Sequence, residues 1–477
     1  MPGGELVTER VRDKLIRTRV SRSLSLVPLS LLLGMWVYFP IQMGSAAPST
    51  VQAAERQAET AFRAQRFEDV ARLIESFPSD RRLSPKLLTV AVKSYVRLGR
   101  PEAAAEAYLR LVRSGLSDDA RLLHDVAFAF LTGYARDRLD HLRIAAYTAL
   151  TELGTRETAP LLEDGLLDSS VVVRAKSAEG LARAGAAAKS SGLRRALVDP
   201  ALAVRIAALN ALGDSGDAGL LKLIEPFARS AEGPEEAFAL AAAVKLGRIA
   251  SLDALVGLAT GPDEDTRIAA LAALGRLKHP STLKTLTQGV YDPSPSVRAF
   301  ACGALGEFNS PDAAPFLTHA LGDDHPRVRS VAAAGLGRLH LAHTRPLLWQ
   351  AARDPVEYVR AGAVEGLLHL GDQEALLVAA DLVKHADPMV RSAAAHALAA
   401  GSGRRGKQLL ESLLRDQQPQ PRLAAARAIG RSAGRDAVPI LREGLGDSDA
   451  AVRIATAGSL LSALKPSGRQ NRSRIPR

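Results

Sequence analysis

An arginine recurs every 31 residues through most of the chain, and no other feature restricts the fold as much. It stands at Arg143, Arg174, Arg205, Arg267, Arg298, Arg329, Arg360, Arg391, Arg422 and Arg453, each opening a run such as RIAALNAL or RSVAAAGL. The one step of 62 residues, from Arg205 to Arg267, holds Glu236 at its midpoint and keeps the apolar pattern as EAFALAAA. Six residues before these positions comes an aspartate in eight of eleven units: Asp137, Asp168, Asp199, Asp292, Asp323, Asp354, Asp416 and Asp447. Pro200, Pro293 and Pro355 follow three of them directly and mark a turn. Seven residues after the position comes Leu or Ile in ten of eleven units, with alanine at the one-turn spacings. A second apolar stretch precedes each turn, for example APFLTHAL or AVPILREGL.

Each unit therefore reads helix, aspartate turn, helix, glycine-containing loop. A unit of that size cannot bury its apolar face alone and must stack on its neighbours. The predicted fold class is all-α: an α-solenoid, a right-handed superhelical stack of helix pairs. The aspartate and arginine rows read as a structural ladder, because a residue needed once per unit belongs to the scaffold. Its members are Asp168, Arg174, Asp199, Arg205, Asp292, Arg298, Asp323, Arg329, Asp354, Arg360, Asp447 and Arg453. Each Asp is expected to accept backbone N–H groups at its turn and to pair with an Arg of its own or the adjacent unit.

The unit resembles the short HEAT-like repeats of the bilin-lyase type, with their pattern D-x-x-x-x-V-R-x-x-A-x-x-A-L-G, over residues 115–464. The resemblance implies the fold and leaves activity open, since such repeats serve scaffolds, adaptors and a few enzymes alike. Residues 48–114 resemble degenerate tetratricopeptide units. Tyr95, Gly99, Ala104 and Tyr108 in YVRLGRPEAAAEAY occupy that family's small and aromatic positions. Phe62, Arg66, Ala71 and Glu75 lie 33 residues earlier, with Arg66 and Glu75 departing from the pattern.

The formal charge is +11, but it is concentrated at the ends. Residues 1–22 carry six basic and three acidic side chains, and residues 465–477 carry five basic and none acidic. The remainder holds 51 basic and 48 acidic groups. A nucleic-acid binder concentrates its basic charge on a folded face, so nucleic acid is disfavoured as a partner. The tail 465–477 has too few apolar residues for packing, Ile475 among its prolines and charges, and reads as disordered. The lone Cys302 excludes a disulfide framework and cysteine-based zinc fingers.

No charged side chain occurs between Ser23 and Ala54, and residues 24–43 (LSLVPLSLLLGMWVYFPIQM) have the length of a membrane-crossing helix. Arg17, Arg19 and Arg22 before it would keep residues 1–22 cytoplasmic. The segment 23–47 reads as a transmembrane anchor or as a signal peptide with the small residues Gly44-Ser45-Ala46 near a cleavage point. Either reading places the body on the periplasmic side. A buried soluble helix would show a polar face.

Gly401-Ser402-Gly403-Arg404-Arg405-Gly406 spells G-x-G-x-x-G, and Gly430-Arg431-Ser432-Ala433-Gly434 spells G-x-S-x-G. Both follow helical runs, whereas the dinucleotide and nucleophile-elbow motifs each require a preceding strand. His340 and His343 are three apart, and His319 and His325 flank a turn. No His-Glu dipeptide occurs, although iron-binding hydroxylases built on similar repeats carry them. No catalytic residue, metal site or cofactor is assigned. The candidate partner-binding residues lie five and nine places past the ladder position, one turn apart on one helix face. They are Glu179, Arg183, Asn210, Asp214, Lys245, Arg276, Glu307, Arg338, Glu365, His369, Arg427 and Arg431. Their mixed sign suits a protein or peptide partner, and the expected function is an exported or membrane-tethered, non-enzymatic interaction scaffold. A lyase- or hydroxylase-like enzyme or subunit is the alternative, with a cytoplasmic adaptor as a third.

Overall fold

The computed structural model describes residues 51–465 apart from 79, 80, 116, 402 and 433, all within one compact unit. Two helical hairpins come first: α1 (Val51–Arg63) with α2 (Phe67–Glu75), and α3 (Pro85–Arg97) with α4 (Pro101–Arg113). They occupy the stretch resembling tetratricopeptide units. Helix pairs then repeat eleven times. The first are α5 (Ala120–Tyr134) with α6 (Asp140–Leu153), α7 (Ala159–Gly165) with α8 (Val171–Arg183), α9 (Ser191–Ala196) with α10 (Leu202–Asp214), and α11 (Leu221–Ser230) with α12 (Gly233–Lys245). Next come α13 (Ser251–Leu258) with α14 (Glu264–Leu277), α15 (Leu283–Gly289) with α16 (Pro295–Phe308), α17 (Ala314–Ala320) with α18 (Pro326–Arg338), and α19 (Arg345–Ala351) with α20 (Glu357–His369). The last are α21 (Ala375–Leu382) with α22 (Pro388–Leu398), α23 (Arg404–Leu413) with α24 (Pro419–Ser432), and α25 (Val438–Glu443) with α26 (Ala450–Leu464).

The even-numbered helices from α6 onward pack successively on one another, while the odd ones pack mainly on even helices. The even helices therefore lie on the smaller radius. Their small residues permit the close approach: a Cβ at Gly337 would lie 2.2 Å from Gly366 Cα, and one at Gly275 would lie 2.7 Å from Ala304 Cβ. The row seven places past the ladder (Leu150, Leu181, Leu212, Ala243, Leu274, Leu305, Leu336, Leu367, Leu398, Ile429 and Leu460) is at most 1% exposed. Each such leucine contributes about 1.5–3 kcal/mol by leaving water.

The ladder joins units and also closes each turn. Asp199 Oδ1 accepts from Ala201 N at 2.9 Å within its own turn. The same carboxylate accepts both Nε and Nη2 of Arg174, one unit earlier, at 2.8 Å each. Arg174 Nη1 meanwhile donates to the Asp168 carbonyl, 3.0 Å away in its own turn. This forked arrangement repeats in Arg143–Asp168, Arg267–Asp292, Arg298–Asp323, Arg329–Asp354, Arg391–Asp416 and Arg422–Asp447. The pattern bends where the sequence drifts. Arg205 pairs with Glu235 at 2.7 Å because Ser230 occupies the aspartate slot. Arg360, with His385 in that slot, turns to its own Glu357 at 3.0 Å.

These carboxyls carry a pH dependence of known sign. Arg174 holds the Asp199 carboxyl below its ordinary range, and Arg391 does the same for Asp416. Burial pushes Asp323 and Asp354 upward, but their arginine partners leave both lowered overall. A lowered carboxyl stabilises the fold above its unfolded pKa of about 3.9 and ceases to do so as pH falls through its folded value. Thermal melts followed by circular dichroism should hold steady from pH 7 to about 5 and fall steeply below about 4. A melting temperature unchanged at pH 3 would show that the ladder carboxylates do not stabilise the stack.

The stack of helix pairs curves into a ring. α26 packs against α5 and α6 as each inner helix packs against the next unit, so the stack closes on itself. Eleven units in a circle turn about 33° each, and such per-unit rotation sets a solenoid's curvature. Closure carries an offset. At regular joints the residue eight places past the ladder meets the one six places past it in the next unit, as Gly337 meets Gly366. At the seam Gly458, only five places past, meets Ala149, which lies six past. That difference of three residues is about 4.5 Å of helix rise. There Arg453 Nη2 donates to Tyr134 Oη on α5 at 2.9 Å, in place of the aspartate carboxylate of a regular joint.

Two relays bind the seam to the N-terminal hairpins. Tyr108 Oη donates to Asp118 Oδ1 at 3.1 Å, and Arg442 Nη1 donates to Asp118 Oδ2 at 2.6 Å. Tyr134 Oη donates to Glu102 while accepting from Arg453. Lys465 is thereby removed from the predicted tail, since its Nζ donates to the Leu153 carbonyl at 2.8 Å. The anchor or signal segment and residues 466–477 lie outside the described residues. Among the described residues no helix is long and apolar enough to cross a membrane.

Candidate partner-binding surface

Counted from the ladder position, places −2, +2, +5 and +9 follow spacings of four, three and four and share one helix face. Two contacts identify this face as the lumen of the ring. Asp214 on α10 pairs with Lys245 on α12 and also with Arg276 on α14, the latter at 2.6 Å. Arg427 on α24 approaches Glu152 on α6 at 3.7 Å, past α26. Side chains two units apart can meet only where the radius is short. Inner helices about 9 Å apart would place their axes on a circle about 30 Å across. Side chains then leave a lumen of about 20 Å, wider than one helix.

The candidate residues form local clusters on this face. Asp214, Lys245 and Arg276 make one triad. Arg338 Nη2 donates to Glu365 Oε1 at 2.6 Å, and His369 Nε2 lies 3.9 Å from the same carboxylate. Glu179 accepts from Lys176 at 2.8 Å. Arg183 packs against Gly154, where an added Cβ would lie 2.6 Å from its own. Glu307 and Arg431 have no ion-pair partner among the described residues, and Asn210 forms no side-chain hydrogen bond there. Ion pairs that stay in contact with water contribute about 0–1 kcal/mol each, so these half-exposed clusters can rearrange around a ligand at little cost.

Sequence reasoning stopped halfway along the stripe. Extending it to −2 and +2 reaches Val172, Phe300, Arg327, Tyr358 and Met389. The four apolar ones are 40–55% exposed, and Arg327 lies 5.9 Å over the Phe300 ring. The +5 and +9 rows also hold His396 and Glu152, which the candidate set omitted. Burial, then Arg431 and Arg427, keep the His396 imidazole below its usual range. Burial does the same to His369. Both are therefore neutral near pH 7.

Burial pushes the Cys302 thiol up to about 12, so it is unreactive. His340 Nδ1 lies 2.9 Å from the His369 carbonyl. Among the described residues no three His, Cys, Asp or Glu side chains converge as a metal site requires. Gly403 precedes α23 in a loop that follows a helix, and no strand occurs among the described residues.

Four overlapping matches to the family of HEAT repeats cover residues 252–337, 283–362, 344–417 and 406–468. No curated protein matches the chain. Among solved structures, human deoxyhypusine hydroxylase in complex with glycerol is similar at 19% identity and TM-score 0.30, over 53% of this chain and 99% of that one. The complex of CpcE and CpcF of phycocyanin lyase from Nostoc sp. PCC7120 is similar at 18% identity and TM-score 0.32, over 55% and 93%. The karyopherin Kap121p bound to the extreme C-terminus of the protein phosphatase Cdc14p is similar at 14% identity and TM-score 0.34, over 83% and 54%.

Proposed function

We propose that this chain, whose residues 252–468 are HEAT repeats, is a non-enzymatic scaffold that holds a protein or peptide partner in the lumen of its ring. One observation carries the reading: the lumen stripe changes from unit to unit, while the ladder and the leucine row recur in most units. A surface needed only for stacking would repeat with the stack. The mixed charges of the stripe favour a polypeptide over a polyanion. Residues 24–43 would tether the body to the cell membrane on its periplasmic side, or leave it periplasmic after cleavage.

Photo-cross-linking in cells tests the scaffold. A benzoylphenylalanine probe at lumen positions Asn210 or Arg338 should yield one discrete protein adduct, and a probe at Lys222 on the outer helix α11 should yield none. Adducts from Lys222 alone, or turnover of a small substrate by the purified protein, would replace this reading with an outer-surface or enzymatic one. N-terminal sequencing and external protease access test the tether: an intact cytosolic chain would remove it.

A further inference from the structure

On the lumen face, α14, α16 and α18 enclose a cavity of about 320 Å³. Its apolar walls are Ala272, Phe300, Gly303 and Val331, and its polar edges are Arg276, Arg327 and Glu307. The cavity exists because Gly303 stands at a +5 place that carries alanine in both flanking units, Ala272 and Ala334. A Cβ at Gly303 would meet only Val331 Cγ1, at 3.6 Å, so neither strain nor helix contact requires glycine there. Phe300 is 40% exposed and lines the cavity wall.

The charges at the edges are ordered. Arg327, two places before the ladder, lies at the N-terminal end of its helix. It stacks on Phe300 and has no carboxylate within ion-pair distance among the described residues. Glu307, nine places past the ladder, lies at the C-terminal end of α16. Eleven residues of helix separate the two places, about 16 Å along the axis, which an extended peptide of about five residues spans. The inner helices run parallel, so their N-terminal ends favour negative charge on the Arg327 side and their C-terminal ends favour positive charge on the Glu307 side.

Building on the scaffold reading above, we propose that this cavity binds an extended peptide segment of the partner. The segment carries a carboxylate for Arg327, an aromatic or large aliphatic side chain inserted between Phe300 and Val331, and a basic group or free amine toward Glu307. The cation–π contact then becomes a sandwich, with the inserted side chain completing the cover of the Phe300 ring.

Random octapeptides displayed on phage and selected against the full-length protein test this. Enriched peptides should place an acid two to four residues from an aromatic or large aliphatic residue. Synthetic fluorescent copies should bind at least tenfold more weakly to Gly303→Leu, which fills the cavity, and to Arg327→Glu, which reverses its edge charge. Arg327 is exposed, so that variant keeps the fold even if Gly303→Leu disturbs it. Circular dichroism melts confirm folding in each case. Enrichment without the acid–aromatic pattern, or equal binding to both folded variants, overturns the proposal. The two readings separate cleanly: discrete cross-links at Asn210 and Arg338 that survive Gly303→Leu and Arg327→Glu would retain the scaffold and remove this cavity from it.

Discussion

Gly337→Ala should destabilise the ring by about 2–3 kcal/mol, while Gly303→Ala stabilises it by about 0.5–1 kcal/mol. The chemical change is identical and both glycines are helical. On propensity alone each substitution should help, because alanine loses less backbone entropy than glycine on entering a helix. The difference is what the new methyl meets. At Gly337 it would lie 2.2 Å from Gly366 Cα and 2.3 Å from the Gly366 carbonyl oxygen. Those are backbone atoms of α20 and cannot rotate aside, so α18 and α20 must separate. In an open solenoid a separation of this kind spreads outward along the stack. A closed ring has no free end to absorb it, so the strain stays at the joint. At Gly303 the methyl enters the lumen cavity. Thermal melts of the two variants beside the parent give the sign directly, and equal shifts would mean that the α18–α20 crossing is looser than described.

The same two glycines show what could be read from the sequence. Both fall in helical runs of the 31-residue period, and the period sets the fold class and the positions of the ladder and the leucine row. It also placed Arg174 with Asp199 in one constellation, although it left open whether the pairing lay within a unit or between units. The structure answers that both occur, through different nitrogens of one guanidinium. Closure was not legible. It depends on a small rotation per unit, set by side-chain volumes at many crossings, and no single residue type encodes it. The candidate surface was half legible. Counting forward from the ladder arginine found Asp214, Arg276 and Glu365, and counting backward along the same face would have found Arg327, Tyr358 and Met389. Phe300 was masked by its own type, since an aromatic residue in an alanine-rich helix reads as core.

Gly458→Leu should open the ring while leaving most helices folded. The residue meets Ala149 across the seam, where even a Cβ would lie 2.8 Å from the alanine methyl. A leucine there requires α26 and α6 to part. The seam lacks the forked aspartate that most joints of the ring have. In place of an aspartate, Arg453 has the Tyr134 hydroxyl and, 3.5 Å away, the Glu102 carboxylate, and the buried Nε atoms of Arg442 and Arg453 have no hydrogen-bond partner among the described residues. In a repeat stack stability is a sum over units and nearest-neighbour joints. Opening forfeits one joint among eleven and relieves the curvature imposed on the others, so far-ultraviolet circular dichroism should change little. Small-angle scattering should instead show the maximum dimension growing by about 10–20 Å, one to two helix widths. Arg442→Ala, which leaves the Asp118 carboxylate to Tyr108 alone, should act in the same direction. The combined variant should add little to Gly458→Leu, because both break one joint. A combined variant with the parent's scattering profile would show that the hairpins α1–α4 hold the ring shut without the seam. Loss of helicity in step with opening would mean that closure is a condition for folding the units, and the ring would then be one cooperative body, not a chain of joints.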